Sequence, residues 1–418
     1  MILLEYPWID FRKGLKVSSE TFQFLERARA LAKREGLFLY LAGGPVRDVL
    51  LGRDSKDLDL VLEGDWKLLL NSLIRETGAS LLLKSQFLTF KLALNFISTL
   101  DLVTARKEVY PYPASLPEVK PGTFEDDIRR RDFTVNALIY GLTPPYEEKI
   151  IDLVGGLKDL ENRVMRPLHI HSFVEDPTRA FRGIRYKVRL NFSFGCEFLK
   201  ALKIAEESSS FRRLSSSRLV NELKLFINKE APECLPSLCE ELNTLGLLQL
   251  VGLLIRKPKQ SDFSILDRAR GRLSSESFEK FFRLFLIEID ESSLRRLAFS
   301  EREITIILRN VKALRELKKN WKNISLVERV ELLEKSPDYL LFRLSLEEEW
   351  REDIKAFWEK WQSIKPELTG QDLIALGLSE GREIGFVLKR IREEKLKGNL
   401  LSKEAEKEFV KNLIFQRC

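Results

Sequence analysis

Phe38-Leu39-Tyr40-Leu41-Ala42-Gly43-Gly44-Pro45-Val46-Arg47-Asp48-Val49-Leu50-Leu51, continued after Gly52-Arg53 by Asp54-Ser55-Lys56-Asp57-Leu58-Asp59-Leu60-Val61-Leu62, is the stretch on which the fold turns. It reads as a buried strand, a Gly-Gly turn, a short helix from about Pro45 to Leu51, a polar loop and a second strand. Side chains alternate faces along a strand, so Asp57 and Asp59 project together while Leu58 and Leu60 face the core.

Two adjacent carboxylates repel unless a cation lies between them. A pair of divalent ions about 4 Å apart is the usual resident where phosphoryl groups are transferred. Magnesium suits an all-oxygen site that keeps waters and substrate phosphates in its shell. Gly43 and Gly44 permit close backbone approach, and their N–H groups with the following helix start can hold a triphosphate. Arg47, one turn into that helix, can reach the same anion. Each piece alone is common turn or strand chemistry; the order and spacing give them meaning. At these residues the sequence resembles the nucleotidyltransferase superfamily of DNA polymerase β. From Leu41 to Leu60 it resembles the first motif of class II tRNA nucleotidyltransferases (CCA-adding enzymes) and bacterial poly(A) polymerases.

Composition agrees with such an enzyme without requiring it. The 418 residues exceed one ordinary domain. An apolar share of 44% with 32% charged residues describes a well-cored chain. No apolar run approaches the roughly twenty residues a membrane helix needs, and Met1 to Pro7 lack a basic segment before an apolar core, so a cytoplasmic protein is expected. The four cysteines are scattered, and the two histidines, His169 and His171, are neighbours, which argues against zinc. A net charge of +7 allows a polyanionic partner.

Ser98 to Arg106 is another strand, and Asp101 within it is the natural third carboxylate. The resembling family carries an acidic residue, commonly Glu, at this place. The Pro- and Tyr-rich segment from Lys107 to Phe124 is expected to form no regular element. Next, Arg131-Asp132-Phe133-Thr134-Val135-Asn136-Ala137 brings charge against a core. Asp132 and Asn136, four apart on one helix face, are candidates to hydrogen-bond ribose, and Arg131 to meet phosphate or base. This resembles the family's Arg-Arg-Asp-Phe-Thr-x-Asn-Ala motif. Gly155-Gly156 reads as a turn; only the resemblance implies a hinge there.

Glu175-Asp176-Pro177-Thr178-Arg179-Ala180-Phe181-Arg182-Gly183-Ile184-Arg185 opens a helix, with Asp176 as N-cap and Pro177 in first position. Arg179, Arg182 and Arg185 form one basic stripe, which in isolation a solvated face also explains. Cytosine and adenine each offer an amino donor beside a ring-nitrogen acceptor, whereas uracil and guanine reverse both. A fixed carboxylate beside a guanidinium therefore suits C and A, and Asp176 with Arg179 is such a pair. Arg182 and Arg185 are candidates to meet phosphates or orient it. This resembles the family's Glu-Asp-x-x-Arg motif, in which amino acids rather than a template select the nucleotide. Arg213 to Lys224 corresponds to the family's last neck motif, with Ser217 where Glu is usual.

The remainder reads as amphipathic helices, including 278–289, 301–319 and 347–362. The expected architecture is α+β: a small polymerase β-like mixed sheet with helices (1–147), then a helical neck (148–208), body (209–325) and RNA-binding tail (326–418). The resemblance implies Mg2+-dependent addition of C and/or A from CTP and/or ATP to the tRNA 3′ end, with no obligate protein partner. A poly(A) polymerase on the same scaffold and a non-catalytic helical RNA-binding protein are the alternatives.

Overall fold

A single mixed sheet organises the N-terminal half of the chain. In sequence order its neighbourhood contains β1 (Ile2–Glu5), β2 (Phe38–Ala42), β3 (Asp59–Glu63), β4 (Ser80–Lys84), β5 (Thr89–Ala93), β6 (Thr99–Thr104), β7 (Arg106–Val109), β8 (Glu118–Pro121), β9 (Ile139–Gly141) and β10 (Lys149–Asp152). Eight of these hydrogen-bond in the order β1-β10-β9-β2-β3-β6-β5-β4. Every neighbouring pair is antiparallel except β3 and β6. The computed structural model describes residues 1–55, 58–93 and 99–415. They divide into two compact units, Met1–Val251 and the residues from Gly252 onwards.

Helices α1 (Trp8–Phe11), α2 (Ser19–Arg34), α3 (Gly44–Leu50) and α4 (Trp66–Thr77) accompany the first strands. Ser18 caps α2 by accepting from the Thr21 N–H at 3.2 Å, and Asp65 caps α4 through the Lys67 and Leu68 N–H groups. Alternate residues of β2 and β3 are buried on both sheet faces. Leu39, Leu41, Leu60 and Leu62 have no exposed surface. Tyr40, Ala42 and Val61 join Phe124, Ile128 and Ile139 in a cluster on the opposite face. The ends of the pair, Phe38, Glu63 and Asp59, are half-buried, and Asp59 stands at the start of β3.

The proline-rich segment departs from expectation. Its flanks pair as an antiparallel ribbon, β7 with β8, leaving 110–117 as the loop. A two-stranded ribbon is all edge, so Pro117 and Pro121 can lie at the limits of β8 without removing a needed donor.

Helices α5 (Phe124–Arg129), α6 (Gly156–Glu161), α7 (Ser172–Glu175) and α8 (Thr178–Leu190) follow. Thr123 and Asp126 form a capping box at α5. The Asp152 carboxylate gathers the N–H groups of Val154, Gly155, Gly156 and Leu157 at 2.8–3.0 Å, which fixes the Gly-Gly turn before α6. Gly183 lets α8 press on the sheet side: a Cβ there would stand 2.6 Å from Phe198 Cε2 and 2.8 Å from Phe133 Cζ. Further helices include α9 (Cys196–Glu207), α10 (Ser210–Arg213) and α11 (Ser216–Asn228).

The second unit is helical throughout its named elements. The helix expected over 278–289 runs instead from Ser275 to Phe285, and the one expected over 347–362 changes from α to π geometry after Ala356. Arg343, fully buried, donates to the Leu284 and Ile287 carbonyls at 2.9 and 3.2 Å. Glu406, also fully buried, accepts from the Glu367 and Leu368 N–H groups near a cluster of Leu368, Leu373, Val387, Ile391 and Val410.

Candidate functional site

The start of β3 opens into a cavity of about 1240 Å³ within the first unit. Asp59 and Asp101 are Cα partners across the parallel β3–β6 pair, so both carboxylates leave the same face of the sheet beside each other, and both line the cavity. Asp57 lies outside the described residues.

Gly43, directly after β2, has φ 73° and ψ −124°, a conformation that side chains with a Cβ rarely adopt. A Cβ there would lie 2.8 Å from Arg131 Nη1 and 3.8 Å from Asp59 Oδ2. Glycine at 43 is thus what allows the turn, the arginine and the carboxylate to share one place. Gly44 begins α3, and Arg47, one turn later, is buried. Its Nη1 donates to Asn136 Oδ1 at 2.6 Å and its Nε to Asp48 Oδ1 at 2.8 Å.

The segment 131–136 is not the continuous helix expected. The helix ends at Arg129, and Thr134–Asn136 forms a single 3-10 turn. Asp132 is nevertheless brought to Asn136: its Oδ1 accepts from Asn136 Nδ2 at 3.1 Å and from the Phe133 N–H at 2.8 Å. Phe133 must enter the core, where it stacks on Phe198, and this insertion breaks the helix. Asp132 Oδ2 pairs with Arg182 at 2.7 Å. Burial pushes the Asp132 carboxyl up, but Arg182 and the Asn136 hydrogen bond outweigh it and hold it below the usual range. Arg131 pairs with fully buried Asp127 at 2.8 Å, and Arg130 with the same carboxylate at 2.6 Å.

The arginine stripe of α8 divides. Arg179 is buried and donates to Ser172 Oγ, Glu175, the Tyr110 hydroxyl and the Arg130 carbonyl at 2.9–3.2 Å. Arg182 reaches Asp132 as above. Arg185 is not part of the cavity lining; it pairs with Glu230 at 3.0 Å and with the lining residue Glu222 at 3.4 Å. Asp176 accepts from the Thr178 N–H at 2.9 Å, but the helix begins at Thr178 with Pro177 rather than Asp176 as its N-cap, and the guanidinium on the Asp176 carboxylate is Arg218, at 2.6 Å. Asp176 and Arg179 both line the cavity without a hydrogen bond between them.

Arg218, Tyr110, Glu108 and Asp127 were not singled out from the sequence as site residues. A signal existed for Asp127, which lies four before Arg131, the spacing at which side chains meet along a helix. Arg218 stood within a segment already marked for its departure at Ser217. For Tyr110, which joins Glu108 nearby to Arg179 69 residues away, local pattern holds no signal of the distant partner.

The Poly A polymerase head domain family matches residues 39–166. An A-adding tRNA nucleotidyltransferase of Aquifex aeolicus is 31% identical over 85% of this chain and 44% of its own length. One from Halalkalibacterium halodurans is 28% identical over 94% of this chain and 93% of its own length. A solved apo form of a CCA-adding enzyme, 26% identical, superposes with a TM-score of 0.80 over 98% of this chain and 99% of that one. In sequence and fold the chain is similar to tRNA nucleotidyltransferases. The Thermotoga maritima CCA-adding enzyme complexed with tRNA is 25% identical, with a TM-score of 0.75 over 99% of this chain and all of that one. This chain thus spans less than half of the Aquifex relative and nearly all of the Halalkalibacterium one.

Nucleotidyltransferases of this family work with a divalent metal, and the donor set fits one. Asp59 and Asp101 offer hard oxygen ligands from adjacent strands at a cavity wall, the chemistry that suits such an ion. Among the described residues no group of three or more His, Cys, Asp or Glu side chains forms a closed cage. Two carboxylates beside open space leave coordination positions for substrate oxygens.

Proposed function

We propose that this chain is a template-independent tRNA nucleotidyltransferase that adds C and/or A from CTP and/or ATP to the tRNA 3′ end. The observation that carries this reading is the pairing of Asp59 with Asp101 beside Gly43, in the same cavity as Asp132, Asp176 and Arg179. The RNA 3′-oxygen attacks the α-phosphorus, the bond from that phosphorus to the bridging oxygen of the β-phosphate breaks, and pyrophosphate leaves. Asp57, Asp59 and Asp101 would hold the metal, which we take to be Mg2+. When bound, that ion favours the ionised 3′-oxygen and neutralises charge on the phosphates.

The protein's own groups do the rest. The Gly43-Gly44 backbone lets the triphosphate approach closely, and Arg47 with Arg131 sets a positive wall behind it. Asn136 is fixed between Asp132 and Arg47 to orient the sugar. Asp176 accepts from the amino group of cytosine or adenine, and Arg179 donates toward the ring nitrogen beside it. A good bidentate contact of this kind is worth about 1–3 kcal/mol of discrimination. The like-named relatives and a solved tRNA-processing enzyme with CTP, 28% identical, support the assignment. No described helix is long and apolar enough to cross a membrane; we place the activity in the cytoplasm.

The test is a product ladder: a tRNA transcript lacking its 3′ end, incubated with CTP and ATP separately and together. Addition of one to three residues is expected. A long A tail would identify a poly(A) polymerase, and no extension at all would leave the RNA-binding alternative. Asp59→Asn should abolish extension while leaving the fold intact by circular dichroism.

A further inference from the structure

Lys91 completes a row that crosses the sheet. Reading β2, β3, β6 and β5 in spatial order, the cavity wall presents Gly43, then Asp59, then Asp101, then Lys91. Asp59 and Asp101 are Cα partners, and so are Asp101 and Lys91. On β5, Phe90 and Leu92 are fully buried, so Lys91 leaves the opposite face, and it is exposed and lines the cavity.

The cations of this cavity are of two kinds. Its arginines are committed to internal carboxylates: Arg47 to Asp48, Arg131 to Asp127, Arg182 to Asp132, Arg218 to Asp176 and the others likewise. They shape the walls. Of the lining lysines, Lys16, Lys91 and Lys229, none has an ion pair among the described residues, and Lys91 is the one that stands in the carboxylate row, so its charge is available to an anion arriving there.

Position says which anion. In-line displacement puts the attacking oxygen and the departing pyrophosphate on opposite sides of the phosphorus. With the triphosphate over the Gly43 turn and the metal carboxylates in the middle of the row, the RNA end must arrive from the β5 side. We infer that Lys91 binds the phosphate of the RNA 3′-terminal nucleotide and so positions its hydroxyl over Asp101. This rests on the reading of the cavity given under Proposed function.

The experiment uses the full chain and a tRNA transcript lacking its 3′ end. Lys91→Ala should raise KM for RNA about tenfold, as expected for one charge-assisted contact, and leave KM for the nucleotide unchanged. Fluorescence anisotropy of labelled transcript should show weaker binding with a salt slope shallower by about 0.7, the value for one single-strand phosphate. Lys91→Arg should restore both. An unchanged RNA affinity and slope, or a rise confined to nucleotide KM, overturns the inference while extension by the unaltered chain keeps the functional reading. Failure of the unaltered chain to extend RNA removes both together.

Discussion

Arg218 Nη2 donates to Asp176 Oδ1 at 2.6 Å, joining residues 42 apart in sequence. The same guanidinium donates to the Ala114 carbonyl at 2.8 Å, so one side chain ties α11, the loop after β7 and the link between α7 and α8. Asp176 is only part-buried and otherwise has Thr178 as its partner. Arg218→Ala should therefore let the carboxylate swing. We expect the ratio of kcat/KM for CTP and ATP over UTP to fall about tenfold, in line with loss of one oriented contact. Arg218→Lys should recover only part, because a point charge cannot make both bonds in one plane. Unchanged nucleotide ratios in Arg218→Ala would exclude this role.

Gly43→Ala tests the turn. The new Cβ meets Arg131 Nη1 at 2.8 Å, and φ 73° is strained for alanine. A stability loss of about 1–3 kcal/mol is expected from the backbone alone. Displacement of Arg131 should add a rise in nucleotide KM, whereas a surface glycine such as Gly271, with open space around it, should accept alanine without either effect.

Asp127 tests the buried ion network. It has no exposed surface and holds both Arg130 and Arg131. Burial alone would push its carboxyl up, but the two guanidiniums outweigh burial and hold it below its usual value. Because the folded value is lowered, its contribution to stability is present above the ordinary carboxylate pKa, about 4. That contribution is lost as pH falls through the lowered value. Asp127→Asn should cost about 3–5 kcal/mol at neutral pH, since Arg131 loses its counter-charge and Arg130 is left with Glu108 alone. The gap to the unaltered chain should close in urea titrations carried out at progressively lower pH.

Glu406 tests the second unit. Its carboxylate accepts the Glu367 and Leu368 N–H groups and a short bond from Lys395. Glu406→Ala leaves buried donors without acceptors, at about 1–3 kcal/mol each. Hydrogen exchange at the Leu368 amide should accelerate accordingly, while exchange in β2 and β3 should not change. Equal acceleration in those strands would contradict a local role.

β2, β3 and the turn after β2 were legible because they are local: apolar runs set the two strands, and Gly43-Gly44 marks the turn that ends β2. The helix expected over 301–319 was legible to within a residue, and its start is capped by Ser300. What the sequence withheld was partner choice. Asp132 and Asn136 do meet, yet through a 3-10 turn forced by Phe133 rather than along a helix. The even spacing of Arg179, Arg182 and Arg185 concealed three different destinations, because Glu175 four residues back, Asp132 and Glu230 claim them one by one. The ribbon of β7 and β8 was missed because proline counts say where a strand is disfavoured, not where an edge tolerates it.

The parallel junction of β3 with β6 has a consequence for how the protein comes to be. Since Asp59 and Asp101 meet only once β6 has docked, a nascent chain arrested on the ribosome before Thr104 has emerged already carries the glycine turn but has no complete carboxylate pair. Nucleotide binding that depends on that pair should switch on abruptly with the length of a stalled polypeptide, not build up gradually during translation.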